Sequence, residues 1–263
     1  MAMLRAVSPH PGMVRPNLRV IGIPDLKAAL AKGLEDFMAM PTHVLFLIVI
    51  YPITGVIIAA VTFDQDLVPL LFPLASGFAL IGPFAAIGLY ELSRRRERNL
   101  EVSWAKAYAP LSSHAAGAIG AVGLLLTAIF LAWLVAAMGL YWALYGGESH
   151  ASVFAFAEEV LTTPRGWALI LFGNLVGLAF SLAALAVSAV SFPLIIDRGA
   201  DAGTAIETSV ALLRENPRTM LTWGLIVAGL LVLGMLPLFV GLALVMPILG
   251  HATWHLYRRA VAP

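Results

Sequence analysis

From Ala115 to Tyr145 the chain runs without one charged side chain, and this stretch limits the possible folds more than any other feature. About 20 mainly apolar residues cross a bilayer as a helix. In hydrocarbon every backbone N–H and C=O must find its partner within the spanning structure, which a helix achieves on its own. Comparable apolar blocks run over about 43–63, 68–90, 164–196 and 217–257, the last long enough for two spans with a turn at Pro237. The chain is 60% hydrophobic and 12% charged, whereas soluble domains are about a quarter charged, and its mean hydropathy is +0.91. The expected fold is all-α: a polytopic membrane helix bundle of about six transmembrane helices in three hairpins. The expected spans are 43–63, 68–90, 115–145, 164–196, 217–236 and 237–257, within a single integral membrane domain over 21–263 that follows a flexible tail over 1–20. The tail has no apolar run long enough for the core of a signal peptide, so insertion is expected to use the internal spans.

Charge orients the spans. Of the 16 Lys and Arg, all but Arg165 fall before the first span, in the second and fourth connections, or at the C-terminus. The positive-inside rule makes that side cytoplasmic, with both termini inside. Thr163-Pro164 and Asn216-Pro217 each set a capping residue before a proline at the first helical position, where its missing N–H costs nothing. Glu91 and Asp197 fall at span ends and are expected to be solvated. The net charge of +1 gives no reason to expect a nucleic-acid partner. With no cysteine there are no disulfides, thiolate metal sites or cysteine nucleophiles.

A repeat precedes the spans. "DLKAALAKGLEDFMAMP" (Asp25 to Pro41) and "DAGTAIETSVALLRENP" (Asp201 to Pro217) have equal length, both start with Asp and both end with Pro. Leu26, Leu30, Gly33, Leu34 and Phe37 share a helical stripe; Ala202, Ile206, Ser209, Val210 and Leu213 hold the same offsets. Amphipathic interfacial helices are therefore expected over about 25–38 and 202–214. A weaker third copy is expected over 100–111, with Leu100, Trp104, Tyr108 and Leu111 on one face. The three copies predict three units, each an interfacial helix followed by a membrane hairpin.

The expected spans hold no Asp, Glu, Lys or Arg in their depth, which argues against proton-coupled transport, since such paths use intramembrane ionisable groups. Gly173, Asn174 and Gly177 in "GNLVG", together with Gly117 and Gly120 in "GAIGAVG", read as packing faces. At the C-terminus, "GHATWHLYRRAV" puts His251 and His255 on one helical face. With His43 and His114 at similar depth these imidazoles are candidate metal ligands. His-x-x-x-His without the Glu of a zincin motif is a weak signal, and the preferred reading is structural: Trp254, Tyr257, Arg258 and Arg259 form a headgroup anchor that the histidines join. No catalytic residue and no cofactor are expected. The external segment "SVFAFAEEVLTTP" is expected to form a short amphipathic helix.

The "FP…DR" end of the fourth span, "AIETS", "NP" with the following "WG", "GHATWHLYRR" and "GPFAAIGLYELSRRRE" together resemble the integral membrane proteins of domain-of-unknown-function family 2189, from the first interfacial helix to the C-terminus. The resemblance implies a six-span bacterial inner-membrane protein; some members carry the label of a cytochrome c oxidase subunit. It carries over no catalytic residue. The chain is expected to be a non-catalytic accessory, assembly or structural protein whose partners are the lipid bilayer and other membrane proteins such as respiratory complex subunits. The alternative is a small transporter or channel for an uncharged or lipid-like solute.

Overall fold

The computed structural model describes residues 16–40, 73–74, 82–83, 86–146, 148, 152–237 and 239–262. The expected span 43–63, most of 68–90, and His43 lie outside them. Among the described residues the regular elements are helices: α1 (Ile23–Ala39), α2 (Ile87–Glu97), α3 (Trp104–Ala107), α4 (Ala116–Tyr145), α5 (Val153–Thr162), α6 (Pro164–Ser188), α7 (Ser191–Arg198), α8 (Ala202–Glu215), α9 (Pro217–Met235) and α10 (Leu242–Ala260). Among the described residues a 3-10 turn also covers Ala109–Ser112. The helical membrane bundle read from the sequence is the fold observed.

Three described stretches are long and apolar enough to cross a membrane: Ala116–Tyr145, Pro164–Arg198 and Pro217–Met235. The second joins α6 to α7 across a break at Ala189–Val190. Pro193 accounts for the break, because it has no N–H to continue the ladder. Gly199, at φ 65°, then ends α7 with its N–H on the Ile195 carbonyl at 2.9 Å, a left-handed cap that glycine adopts without a Cβ penalty. The last apolar block is two helices, α9 and α10, packed together around a turn after Met235. The closing helix is not among the three, since its second half carries His251, His255, Arg258 and Arg259.

Capping follows local chemistry. Thr163 accepts from the Gly166 N–H at 3.1 Å and Ser152 from the Ala155 N–H at 3.1 Å. The latter opens α5, the short helix expected near the external acidic pair. Asp201 caps α8 through the Thr204 N–H at 2.9 Å. Its repeat partner Asp25 sits inside α1, which begins earlier, and reaches back to the Gly22 N–H at 2.9 Å. Asn216 does not cap α9 with its side chain.

The repeat survives in three dimensions with its faces turned. α1 buries Leu26, Ala29, Gly33 and Asp36, whereas Leu34 is 47% exposed. α8 buries Ala205, Thr208, Ser209, Ala211 and Leu212. Ala29 and Ala205, Gly33 and Ser209, Asp36 and Leu212, and Met40 and Asn216 are therefore buried at the same offsets. Both buried faces are built on small residues, because each helix packs closely against another helix. The third expected copy is not one helix: Pro110 divides it into α3 and the 3-10 turn, and Leu100, Trp104, Tyr108 and Leu111 stay exposed.

The contacts close a ring. α2, α7 and α10 touch one another pairwise, forming an inner triangle. Around it, α1 packs on α10, α3 on α2, and α8 on α6 and α7. Each amphipathic segment thus leans on the closing helix of the unit before it, and the first unit leans on the last. The chain ends complete the closure. Leu18 and Val261 form an antiparallel bridge, the Arg19 N–H donates to the Ala260 carbonyl at 2.8 Å, and the Ala262 N–H donates to the Asn17 carbonyl at 2.9 Å.

Candidate functional site

Polar side chains of α1, α2, α7 and α10 converge at the basic end of the bundle, where the inner triangle meets α1. Gly33 makes the junction possible: a Cβ there would lie 2.6 Å from the Ala252 backbone nitrogen, so α1 and α10 cross almost backbone to backbone. Gly250 plays the same part toward α2, where a Cβ would strike the Leu89 side chain. Ordinary side chains at these positions would hold the helices apart, and the polar groups beyond the crossing would not meet.

Asp36, 3% exposed, is the hub. Ser93 of α2 donates to its Oδ2 at 2.5 Å, His255 Nε2 of α10 lies 2.9 Å from the same oxygen, and Arg96 pairs with Oδ1. A carboxylate only accepts, so His255 donates through Nε2. Burial alone would raise the Asp36 pKa; the hydrogen bonds from His255, Ser93 and Arg96 outweigh it and hold the group at about 2. Ser93 Oγ also lies 2.8 Å from His251 Nδ1. A hydroxyl carries one proton, and here it goes to Asp36, so Nδ1 of His251 is the protonated nitrogen and donates to Oγ. The other nitrogen, Nε2, is buried and has no hydrogen-bond partner among the described residues.

A second hub sits on α7. Asp197, with a side chain 5% exposed, pairs with Arg98 at 2.5 Å and Arg258 at 3.4 Å and accepts from the Tyr257 hydroxyl at 2.7 Å. Glu97 accepts from the Trp254 indole at 2.9 Å and from Arg258 at 2.9 Å. Arg259 reaches Asp25 at 3.0 Å. Glu91, 1% exposed, is held by Arg94 at 2.7 Å and Arg95 at 3.2 Å. The expectation that Glu91 and Asp197 are solvated helix ends is corrected: both are enclosed, because the closing helices meet there rather than splaying into water. Asn216 also turns inward. Its Oδ1 accepts from the Ile21 N–H at 2.8 Å and its amide donates to the Arg19 carbonyl at 3.3 Å, so the residue expected as a cap clamps the segment leading into α1.

The residues singled out from sequence are placed as follows. His251 and His255 share one face and meet through Ser93 and Asp36. His114 is exposed and does not join them, and among the described residues no three His, Asp or Glu are arranged to hold a metal. Trp254 and Tyr257, expected at the headgroups, are 1% and 0% exposed. With Arg258 and Arg259 they bind acidic partners from α1, α2 and α7, because α10 packs against all three of these helices. Gly177 faces α4, where a Cβ would come within 3.2 Å of the Trp133 ring; Gly173 faces Leu140 of the same helix. Asn174 lies on the exposed face and donates to its own helix at the Ile170 carbonyl, 2.7 Å away. Gly117 and Gly120 have no described atom within 4 Å of where a Cβ would stand. Sequence reading missed Asp36, Ser93 and Glu97, which look like ordinary polar positions beside the basic run. The only available signal was Asp36 falling on the small-residue face of α1.

Chemically the arrangement ties α1, α2 and α10 together through one carboxylate. Ser93 is 1% exposed and its proton is committed to a carboxylate, so Asp36, Ser93 and His251 lack the nucleophile–base–orienter sequence of an acyl-transfer site.

The model of a family described as "Predicted integral membrane protein (DUF2189)" matches residues 71–197. That range takes in α2 to α7 and stops at the Asp197 hub, narrower than the resemblance read from the motifs. No curated protein and no solved structure matches the chain.

Proposed function

Since residues 71–197 put this part of the chain in the family of predicted integral membrane proteins just described, we propose that it is a non-catalytic accessory or assembly protein of the bacterial inner membrane. In this reading both termini are cytoplasmic and the spans associate laterally with other membrane proteins, a respiratory oxidase among the candidates. The observation that carries it is a contrast in packing. In the apolar windows of the three membrane-length stretches, only 28%, 6% and 22% of residues are buried within the chain, whereas at the basic end the paired carboxylates of Asp36, Glu91 and Asp197 are buried. An ionisable group at the bilayer centre costs about 3 kcal/mol on an insertion scale. The three stretches carry none in their apolar middles, so their surfaces suit packing better than ion transfer. Purification from the native membrane in mild detergent, with mass spectrometry and a visible spectrum, tests the reading. A stoichiometric membrane partner is expected.

The alternative is a small transporter for an uncharged or lipid-like solute. It draws on the cyclic arrangement of the three units, since transporters are often built from repeats about an axis along the membrane normal. A colourless, partner-free monomer that moves solute in liposomes would replace the accessory reading with this one.

A further inference from the structure

α6 is the least enclosed of the membrane-length helices, with 6% of its apolar window buried. Its inner side is accounted for: Gly173 and Gly177 lie against α4, and Phe180 packs on Trp133 with ring centroids 5.8 Å apart. Its outer side carries Trp167, Leu171, Asn174, Leu178 and Ser181, all exposed. These positions alternate four and three residues apart, the spacing that keeps one seam facing a neighbouring helix through a left-handed crossing.

Asn174 decides what can cover that seam. It is the only Asn or Gln in α4, α6, α7, α9 and α10, and it stands near the middle of a 25-residue helix. One amide hydrogen is used on Ile170. The second hydrogen and the side-chain carbonyl have no hydrogen-bond partner among the described residues, and on this exposed face acyl chains offer none. A seam of leucines alone would be satisfied by lipid, but a carboxamide is not. A carboxamide is both donor and acceptor, and so complements itself. Two copies inserted with the same topology and related by a two-fold axis along the membrane normal bring each seam residue to its own counterpart at one depth.

We propose that the α6 seam is a homodimer interface, in which Asn174 of one copy hydrogen-bonds Asn174 of the other between flanking pairs of Leu171 and Leu178. The inference stands on this seam alone and does not depend on the accessory role.

The absence of native cysteine makes the test direct. Leu171→Cys and Leu178→Cys, each alone, are oxidised with copper phenanthroline in native membranes. Both should give a disulfide-linked species of doubled mass. Val176→Cys, on the inward side of the same helix, should not. In the Leu178→Cys background, Asn174→Val should cut the dimer yield about fivefold, and Asn174→Gln should largely restore it. The seam and inward cysteines keep the test decisive even if Asn174→Val fails to accumulate. The proposal is overturned if neither seam cysteine gives a dimer, if Val176→Cys links equally well, or if the seam cross-links only to a different protein.

Discussion

His255 Nε2 lies 2.9 Å from the Asp36 carboxylate across 219 residues of sequence, so a hydrogen bond to a buried carboxylate ties the first described helix to the last. Around it, Ser93 and Arg96 bring in α2, and Asp36 becomes the point at which three helices depend on one another. Removing the carboxylate strands the Ser93 and His255 donors, while Arg96, 40% exposed, regains water; breaking such a network by its buried charged partner costs about 3 kcal/mol. Asp36→Leu should lower stability in detergent by that order. Chemical unfolding followed by near-UV circular dichroism measures it, and an unchanged midpoint would show that the network contributes nothing.

The same residue sets an acid limit. Its folded pKa of about 2 lies below the ordinary aspartate value of about 3.9. Its stabilising contribution is therefore fully present above roughly pH 4 and is lost as pH falls toward 2. Wild-type protein should lose stability across that window, and Asp36→Leu, already lacking the contribution, should lose less. Parallel decline of the two would assign the acid sensitivity to other carboxylates.

Gly33→Ala should be disruptive although alanine favours helices. The new Cβ would lie 2.6 Å from the Ala252 nitrogen and 2.7 Å from its Cα, and backbone cannot move aside as a side-chain tip can. Overpacking of this kind costs about 1–3 kcal/mol. Gly117→Ala, with no described atom within 4 Å of its Cβ, should be neutral or slightly stabilising. Membrane levels and thermal aggregation of the two variants should separate clearly; equal behaviour would mean that α1 does not rest on α10 at this distance.

Asp197→Ala should cost more than Arg98→Ala. The carboxylate is enclosed and serves Tyr257, Arg98 and Arg258, while the Arg98 side chain is 48% exposed and regains water when unpaired. A double-mutant cycle of Asp197 with Arg258 should show coupling. Additive effects would indicate that the α7–α10 contact is held by packing alone.

Charge asymmetry gives a topology test. Single cysteines replacing Ser112 and Glu207, both exposed near the basic end, should be shielded from an impermeant thiol reagent in intact cells, while a cysteine replacing Glu158 should react. The reverse pattern would invert the orientation.

The amino-acid sequence by itself determined the class of this protein. Uncharged apolar blocks admit only helices in a bilayer, and the clustering of every basic residue but Arg165 in alternate connections and the chain ends sorts the connections. The equal-length Asp-to-Pro segments showed that the amphipathic helices recur, because spacing and proline placement act locally. The tertiary structure alone decided which face of each helix is buried and what the polar residues do. Small residues such as Ala29 and Gly33 look indifferent along a chain, yet they allow backbone contact and so rotate α1 from its leucine stripe toward Asp36. Trp254, Tyr257, Arg258 and Arg259 read as a lipid anchor because membrane ends and protein cores draw on the same side chains. Only the approach of α1, α2 and α7, contributed by residues far apart in sequence, turned that row inward onto Asp25, Glu97 and Asp197.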